Sequence, residues 1–378
     1  MTKPRARDLG IPLKGTTGRH NAITDVSGVT VGYATVIEGD SVRTGVTVIH
    51  PRGRQVHDPV FAGTFAFNAN GEMSGAGWVE EGGFLEGPVA ITNTHSVGIV
   101  RDTIIEWQAA QGVMFQKWSL PLVTETADGW LNDINGFHVR PKHVLEALES
   151  SSSGRIAEGN VGGGTGMLCY EFKGGTGTAS QKLAKKYGGW TVGALAQTNF
   201  GRRFQLTIAG VPMGEHLKDD APFTQGEDPF EGEQGSLIVV LATDAPLLPH
   251  QLKRVAKRAA LGMARTGSLG GNGSGDIFLA FSTANPNAAR GDETGMATLQ
   301  ALANDQLDPV FMASVYATEE AIINAMIAAE SMTGKDGFSV KAIPHEEIVR
   351  LLKQYNRLAA GGRRKAEGGR QKAVGSRK

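Results

Sequence analysis

Gly270-Gly271-Asn272-Gly273-Ser274-Gly275-Asp276 leads directly into the apolar run Ile277-Phe278-Leu279-Ala280-Phe281. The first part is small and turn-forming: glycine permits positive φ, and Asn-Gly is a strong turn pair. The second part reads as a buried strand. A serine at such a junction can attack the carbonyl of Gly273. If the bond then breaks, Ser274 becomes a new N-terminus whose α-amine can activate its own hydroxyl. A plain Gly-Ser hairpin is the simpler reading of the stretch alone. The rest of the chain decides between the two.

Glycine supplies 52 of the 378 residues, roughly twice average usage. It falls in many short clusters without a repeat, as expected for tight turns between strands. Lys+Arg and Asp+Glu are equal at 38 each, so no global field points to nucleic acid or an anionic membrane. The balance is uneven, because Gly361–Lys378 carries seven basic residues and one acidic one. That tail is expected to be disordered, and residues 1–360 to form a single catalytic domain. Cys169 is the only cysteine, which excludes an intrachain disulfide; it is expected to be buried and inert. No apolar segment follows the charged N-terminus, so no signal peptide is expected, and no stretch approaches 18 uninterrupted apolar residues, so nothing is expected to span a membrane. The expected compartment is the cytoplasm.

Short β-branched runs predict strands at Val29–Tyr33, Gly45–His50, Val89–Asn93, Gly166–Phe172, Trp190–Gln197, Gln205–Ala209, Ser236–Ala242 and Asp276–Ser282. Helices are predicted at Ile99–Gln111, Pro141–Ser150, Pro249–Met263, Pro309–Ala329 and Pro344–Leu358. Strands and helices come in blocks, which favours an α/β fold of layered sheets with helices outside. Met213–Gln234 is polar and acidic and reads as a surface insertion at an active-site rim.

Several motifs are absent. Asp276 follows Ser274 where a nucleophile elbow needs glycine. There is no H-E-x-x-H, and neither Gly162–Gly166 nor Thr333–Asp336 completes a phosphate loop. His95 is the one histidine in a dense polar cluster, and it reads more readily as structural than as a triad base. No metal or cofactor is expected.

Polar motifs in apolar frames recur along the chain. They include Asn68-Ala69-Asn70-Gly71-Glu72, Ile91-Thr92-Asn93-Thr94-His95, Glu125-Thr126-Ala127-Asp128-Gly129, Gln197-Thr198-Asn199-Phe200-Gly201 and Ala242-Thr243-Asp244-Ala245-Pro246. With the Asn-Gly-Ser-Gly-Asp junction, their order resembles the L-aminopeptidase D-Ala-esterase/amidase (DmpA) type, which includes the β-peptidyl aminopeptidases. The resemblance runs from about Arg5 to about Leu358. It implies a four-layer α-β-β-α sandwich like that of N-terminal-nucleophile hydrolases. It also implies a precursor cut between Gly273 and Ser274 into fragments 1–273 and 274–378, and tetramers of processed units. The implied activity is release of N-terminal residues from peptides, amides or esters.

Carried over residue by residue, the resemblance makes Ser274 the nucleophile and Asn199 the oxyanion-stabilising residue. Glu125 becomes the carboxylate that binds the substrate's free amine. Two positions depart from the pattern. Ala127 stands where members carry Tyr or Leu, which opens the question of pocket size. The family's Ser-x-Glu pair beside the nucleophile falls in Ala317-Thr318-Glu319-Glu320. Helical spacing from Val315 and Ile322 favours Glu319 over Glu320 as the inward acid, with Thr318 as its neighbour. An acyltransferase of the ornithine-acetyltransferase architecture is the alternative enzyme. A binding protein with a degenerate site is disfavoured by the intact Ser274 and Asn199.

Overall fold

The computed structural model describes residues 3–223 and 235–359. The expected basic tail and half of the 213–234 insertion, residues 224–234, lie outside them. Ten strands build two sheets: β1 (Thr30–Glu38), β2 (Val42–His50), β3 (Val60–Ala66), β4 (Phe84–Leu85), β5 (Val89–Thr92), β6 (Leu122–Glu125), β7 (Gly175–Lys182), β8 (Thr191–Asn199), β9 (Ser236–Thr243) and β10 (Ile277–Ser282). One sheet has the order β1-β2-β5-β6 and the other β4-β3-β10-β9-β8-β7. The principal helices are α1 (Ala76–Gly82), α2 (Val97–Gln111), α3 (Pro141–Glu149), α4 (Pro249–Ala256), α5 (Arg258–Ala264), α6 (Asp308–Ile327) and α7 (His345–Gln354).

Three apolar layers hold these elements together. Val31, Ile49, Ile91 and Leu122 of the small sheet meet Leu195, Ile238, Val240 and Leu279 of the large one. Behind the small sheet, Val46, Val48 and Val123 pack on Ile104, Val144 and Leu148 of α2 and α3. Behind the large sheet, Leu237, Val239 and Phe278 pack against Leu252, Val255, Ile322 and Ile323 of α4 and α6. The result is the expected α-β-β-α sandwich. β9 and β10 are buried on both faces, which explains their unbroken apolar runs. They pair in parallel, and β3 pairs antiparallel with β10.

Helix α6 is buried along most of its length and apolar almost all round, as a core helix must be. Among the described residues it alone is long and apolar enough to cross a membrane; here it packs on β7 and β8. Its close approach explains the composition of β7, Gly-Thr-Gly-Thr-Ala-Ser-Gln-Lys. A Cβ on Gly177 would lie 2.1 Å from the carbonyl oxygen of Ala321.

Some predicted elements differ. The expected 249–263 helix breaks at Lys257 into α4 and α5. Gln205–Ala209 is not a strand: Arg203–Gln205 makes a single 3₁₀ turn. Gly166–Phe172 gives only a tight hairpin of Leu168–Cys169 and Phe172–Lys173, because Tyr170 and Glu171 both adopt positive φ. Met213 is fully buried and Met213–His216 forms a helical turn, so the expected insertion begins inside the fold rather than on its surface. Cys169 is buried as expected, and burial pushes its thiol pKa up, away from reactivity.

Candidate active site

Strand ends from both sheets converge at one end of the sandwich. Ser274 precedes β10 and pairs as an isolated bridge with Gly235, just before β9. The 67–71 turn leaves β3 beside it, with the Phe67 N–H donating to the Asp276 carbonyl at 2.9 Å. Asn199 ends β8 opposite Ser236. From the small sheet, Glu125 ends β6 and Thr94 follows β5. The Ala127 N–H donates to Ser236 Oγ at 3.3 Å and ties the two sheets together at this end.

Ser274 is buried, and its hydroxyl donates to Asp276 Oδ1 at 2.7 Å. Asn68 holds Asp276 from the other side. Its Nδ2 donates to Asp276 Oδ2 at 2.9 Å, and its Oδ1 accepts the Asp276 N–H at 2.6 Å. Glu125 is 3 % exposed. One oxygen accepts the Glu72 N–H at 3.1 Å, and the other accepts the Thr94 hydroxyl. Burial raises its pKa above the ordinary carboxylate value, and these two bonds oppose the rise. Only Gly71 separates Glu125 from the nucleophile turn. A Cβ there would lie 2.7 Å from Glu125 Oε1 and 3.4 Å from Gly275 Cα.

A cavity of about 450 Å³ opens beside Gly235, lined by Ala127, Trp130, Leu168, Asn199 and Phe223 among others. That volume suits a small ligand. The Asn199 amide is held in its wall. Its Oδ1 accepts the Leu168 N–H at 2.9 Å, and its Nδ2 donates to the Ala127 carbonyl at 2.8 Å. Ala127 is exposed to the cavity, and Trp130 fills part of the space beside it. The Trp130 ring stacks on Phe338 with centroids 4.4 Å apart.

The pair on α6 lies differently from expectation. Both glutamates are buried, so helical spacing does not select one of them. Glu319 accepts Arg265 Nε at 2.5 Å, and Glu320 binds Arg7 and Asn21 from the N-terminal segment. The Thr318 Cβ lies against Gly262 of α5, and its hydroxyl is buried without a hydrogen-bond partner. The hydroxyl of Ser274 is bonded to Asp276, not to Glu319 or Thr318. His95 is exposed and stacks on Phe137, with centroids 5.8 Å apart. In the sequence Asn68, Asn70 and Asp276 stand out only as parts of motifs. The one signal that marks them is a run of turn-forming Asn residues after an apolar strand. Among the described residues, no group of three or more His, Cys, Asp or Glu is clustered to hold a metal ion.

Known proteins match this arrangement closely. The profile of peptidase family S58 matches residues 21–340. The chain is 51% identical over 374 residues to the β-peptidyl aminopeptidase BapA of Sphingosinicella microcystinivorans, covering 94% of each. Its fold superposes on the L-aminopeptidase D-Ala-esterase/amidase of Ochrobactrum anthropi, a variant of the Ntn-hydrolase fold. There the TM-score is 0.87 and the identity 49%, over 94% of this chain and 100% of that one. A β-aminopeptidase of a Burkholderia species follows at a TM-score of 0.85 and 45% identity, over 93% and 99% of the two chains. The chain belongs to peptidase family S58.

Proposed function

We propose that this chain is made as a precursor that cuts itself between Gly273 and Ser274, and that Ser274 then serves as an N-terminal nucleophile. The chain is a hydrolase of the aminopeptidase type, and the acyltransferase alternative finds no support in its family. The observation that carries the reading is the placing of Glu125 and Gly275, the residue after Ser274, on either side of Gly71, with the cavity opening at Gly235, the bridge partner of Ser274. A substrate amine paired with Glu125 presents its first peptide carbonyl to Ser274. The Ser274 α-amine takes the hydroxyl proton, and the second N–H of the Asn199 amide meets the developing charge. The scissile C–N bond breaks as the Ser274 α-ammonium protonates the leaving amine, and water then hydrolyses the acyl ester to free Ser274 and the released N-terminal residue. Glu319 and Thr318 support the nucleophile from α6 in this reading, once cleavage frees the Ser274 hydroxyl from its present partner.

The names of the relatives suggest the substrates: peptides with N-terminal β-amino acids, L-amino acids, and D-Ala esters or amides. The purified protein should resolve by intact mass into chains of 273 and 105 residues, the shorter beginning with Ser. A single chain that turns over L-Ala or β-Ala p-nitroanilide would overturn the mechanism. The reading includes a large and a small fragment within one domain, a cytoplasmic location and tetramers of processed units. Exposed Met296 and Leu299, on an exposed segment, support the assembly. Light scattering that gives the mass of one processed unit would remove it.

Ala127 sets the size of the cavity in this reading. Ala127→Tyr should fill space beside Trp130 and shift preference toward small N-terminal residues. The measurement is the ratio of kcat/KM for Ala and Phe p-nitroanilides, expected to rise roughly tenfold, the scale of about one or two methylenes of lost pocket. An unchanged ratio would mean that the N-terminal side chain binds elsewhere.

A further inference from the structure

The mature enzyme's base does not exist before cleavage. The Ser274 nitrogen is then an amide, which is not basic, so a precursor needs another group to take the hydroxyl proton. It also needs a donor for the Gly273 carbonyl oxygen, where charge develops. The structure, with Gly273 and Ser274 joined, places one side chain at each position. Ser274 Oγ donates to Asp276 Oδ1 at 2.7 Å. The Gly273 carbonyl oxygen accepts Asn70 Nδ2 at 3.0 Å. The Asn70 backbone N–H donates to the Ser274 carbonyl at 3.2 Å, so this residue grips the chain on both sides of the bond.

The turn that carries Asn70 is shaped for this. Ala69 has a φ of 49°, a left-handed conformation that costs a non-glycine residue energy. Around it, Asn68 and Asn70 both reach the same junction. Asn68 Nδ2 also donates to the Gly271 carbonyl at 3.0 Å, and the Ser274 N–H donates to that same oxygen at 3.1 Å, which tightens the loop before the bond.

Resting on the self-cleavage reading above, we infer that Asn70 and Asp276 are the catalytic residues of processing, and that Asn68 positions Asp276. Asp276 takes the Ser274 hydroxyl proton as Oγ bonds to the Gly273 carbonyl carbon. The Asn70 amide stabilises the resulting oxyanion. The C–N bond then breaks, and Asp276 returns the proton to the Ser274 nitrogen, leaving an ester between Gly273 and Ser274 Oγ. Water hydrolyses the ester to the Gly273 carboxylate and a free Ser274 hydroxyl. From that point the α-amine replaces Asp276 as the base.

The test follows conversion of the full 378-residue chain, made by cell-free synthesis, to its two fragments on denaturing gels. Asn70→Ala should cleave about 10²-fold more slowly, the lower end for an oxyanion donor because Asn70 is exposed. Asn70→Asp keeps the size but sets a negative charge against the oxyanion, so it should be at least as slow as Asn70→Ala. A packing role predicts the reverse order. Asp276→Asn should lose roughly 10²–10⁴-fold, the range for a general base. Each variant's melting temperature is compared with that of the Ser274→Ala precursor, which is also uncut. If Asn70→Ala does not fold, the near-isosteric Asn70→Asp decides alone. Wild-type rate in Asn70→Asp or in Asp276→Asn overturns the assignment while leaving self-cleavage intact. A wild-type chain that stays whole, or a Ser274→Ala chain that splits, sinks the self-cleavage reading and this assignment with it.

Discussion

Ser274→Ala is expected to remain one chain of 378 residues and to hydrolyse no amino-acid p-nitroanilide above background. The substitution removes one oxygen that has two successive duties. Before cleavage it is the group that attacks the Gly273 carbonyl; afterwards it is the group that attacks substrate. Loss of a serine nucleophile typically costs roughly 10⁶-fold in turnover. The stability cost should be small, because the hydroxyl makes a single bond, to Asp276. Processing and hydrolysis should therefore vanish together in a folded protein, as circular dichroism and thermal melting would verify. A Ser274→Ala protein that still splits at this junction would place the nucleophile elsewhere. One that stays whole yet retains activity would separate maturation from catalysis.

The fold was legible where burial leaves a compositional trace. β9, β10 and α6 are enclosed on both sides, and their apolar runs marked them in the sequence. β7 was illegible for the opposite reason: α6 lies so close at Gly177 that no side chain fits there, and the small residues of Gly175–Ser180 read as a loop. β6 is four residues long, too short for a periodic signal. Of the site, Ser274 was visible as a local turn, while the roles of Glu125 and Asn199 came through the family resemblance. Asn68 and Asn70 were quoted but given no role, because their partners lie about 200 residues away in the chain. The two acids on α6 could not be told apart by spacing for a related reason. Periodicity assumes one solvated face, but Glu319 meets Arg265 near α5 and Glu320 meets Arg7 in the N-terminal segment.

Glu125→Gln should weaken use of substrates with a free amine by about 10–100-fold in kcat/KM, the scale of one charge-assisted hydrogen bond. The change is nearly isosteric. A carboxamide can still accept the Glu72 N–H through its oxygen and donate to the Thr94 hydroxyl through its nitrogen, so the fold and self-cleavage should persist. What is lost is the negative charge that pairs with a substrate ammonium. N-acetylated p-nitroanilides lack that ammonium, and the wild type should discriminate against them while the variant discriminates far less. The pH dependence carries the same signature. Burial raises the Glu125 pKa, so as pH falls through that raised value the carboxylate takes a proton and loses its hold on the amine. The Ser274 α-amine also protonates on the acid side and stops acting as a base. Log kcat/KM of the wild type should thus fall with a slope approaching about 2 at low pH, and that of the variant with a slope of about 1. Equal turnover of free and acetylated substrates by the wild type, or identical acid limbs for the two enzymes, would remove Glu125 from amine recognition and assign the free N-terminus to another partner.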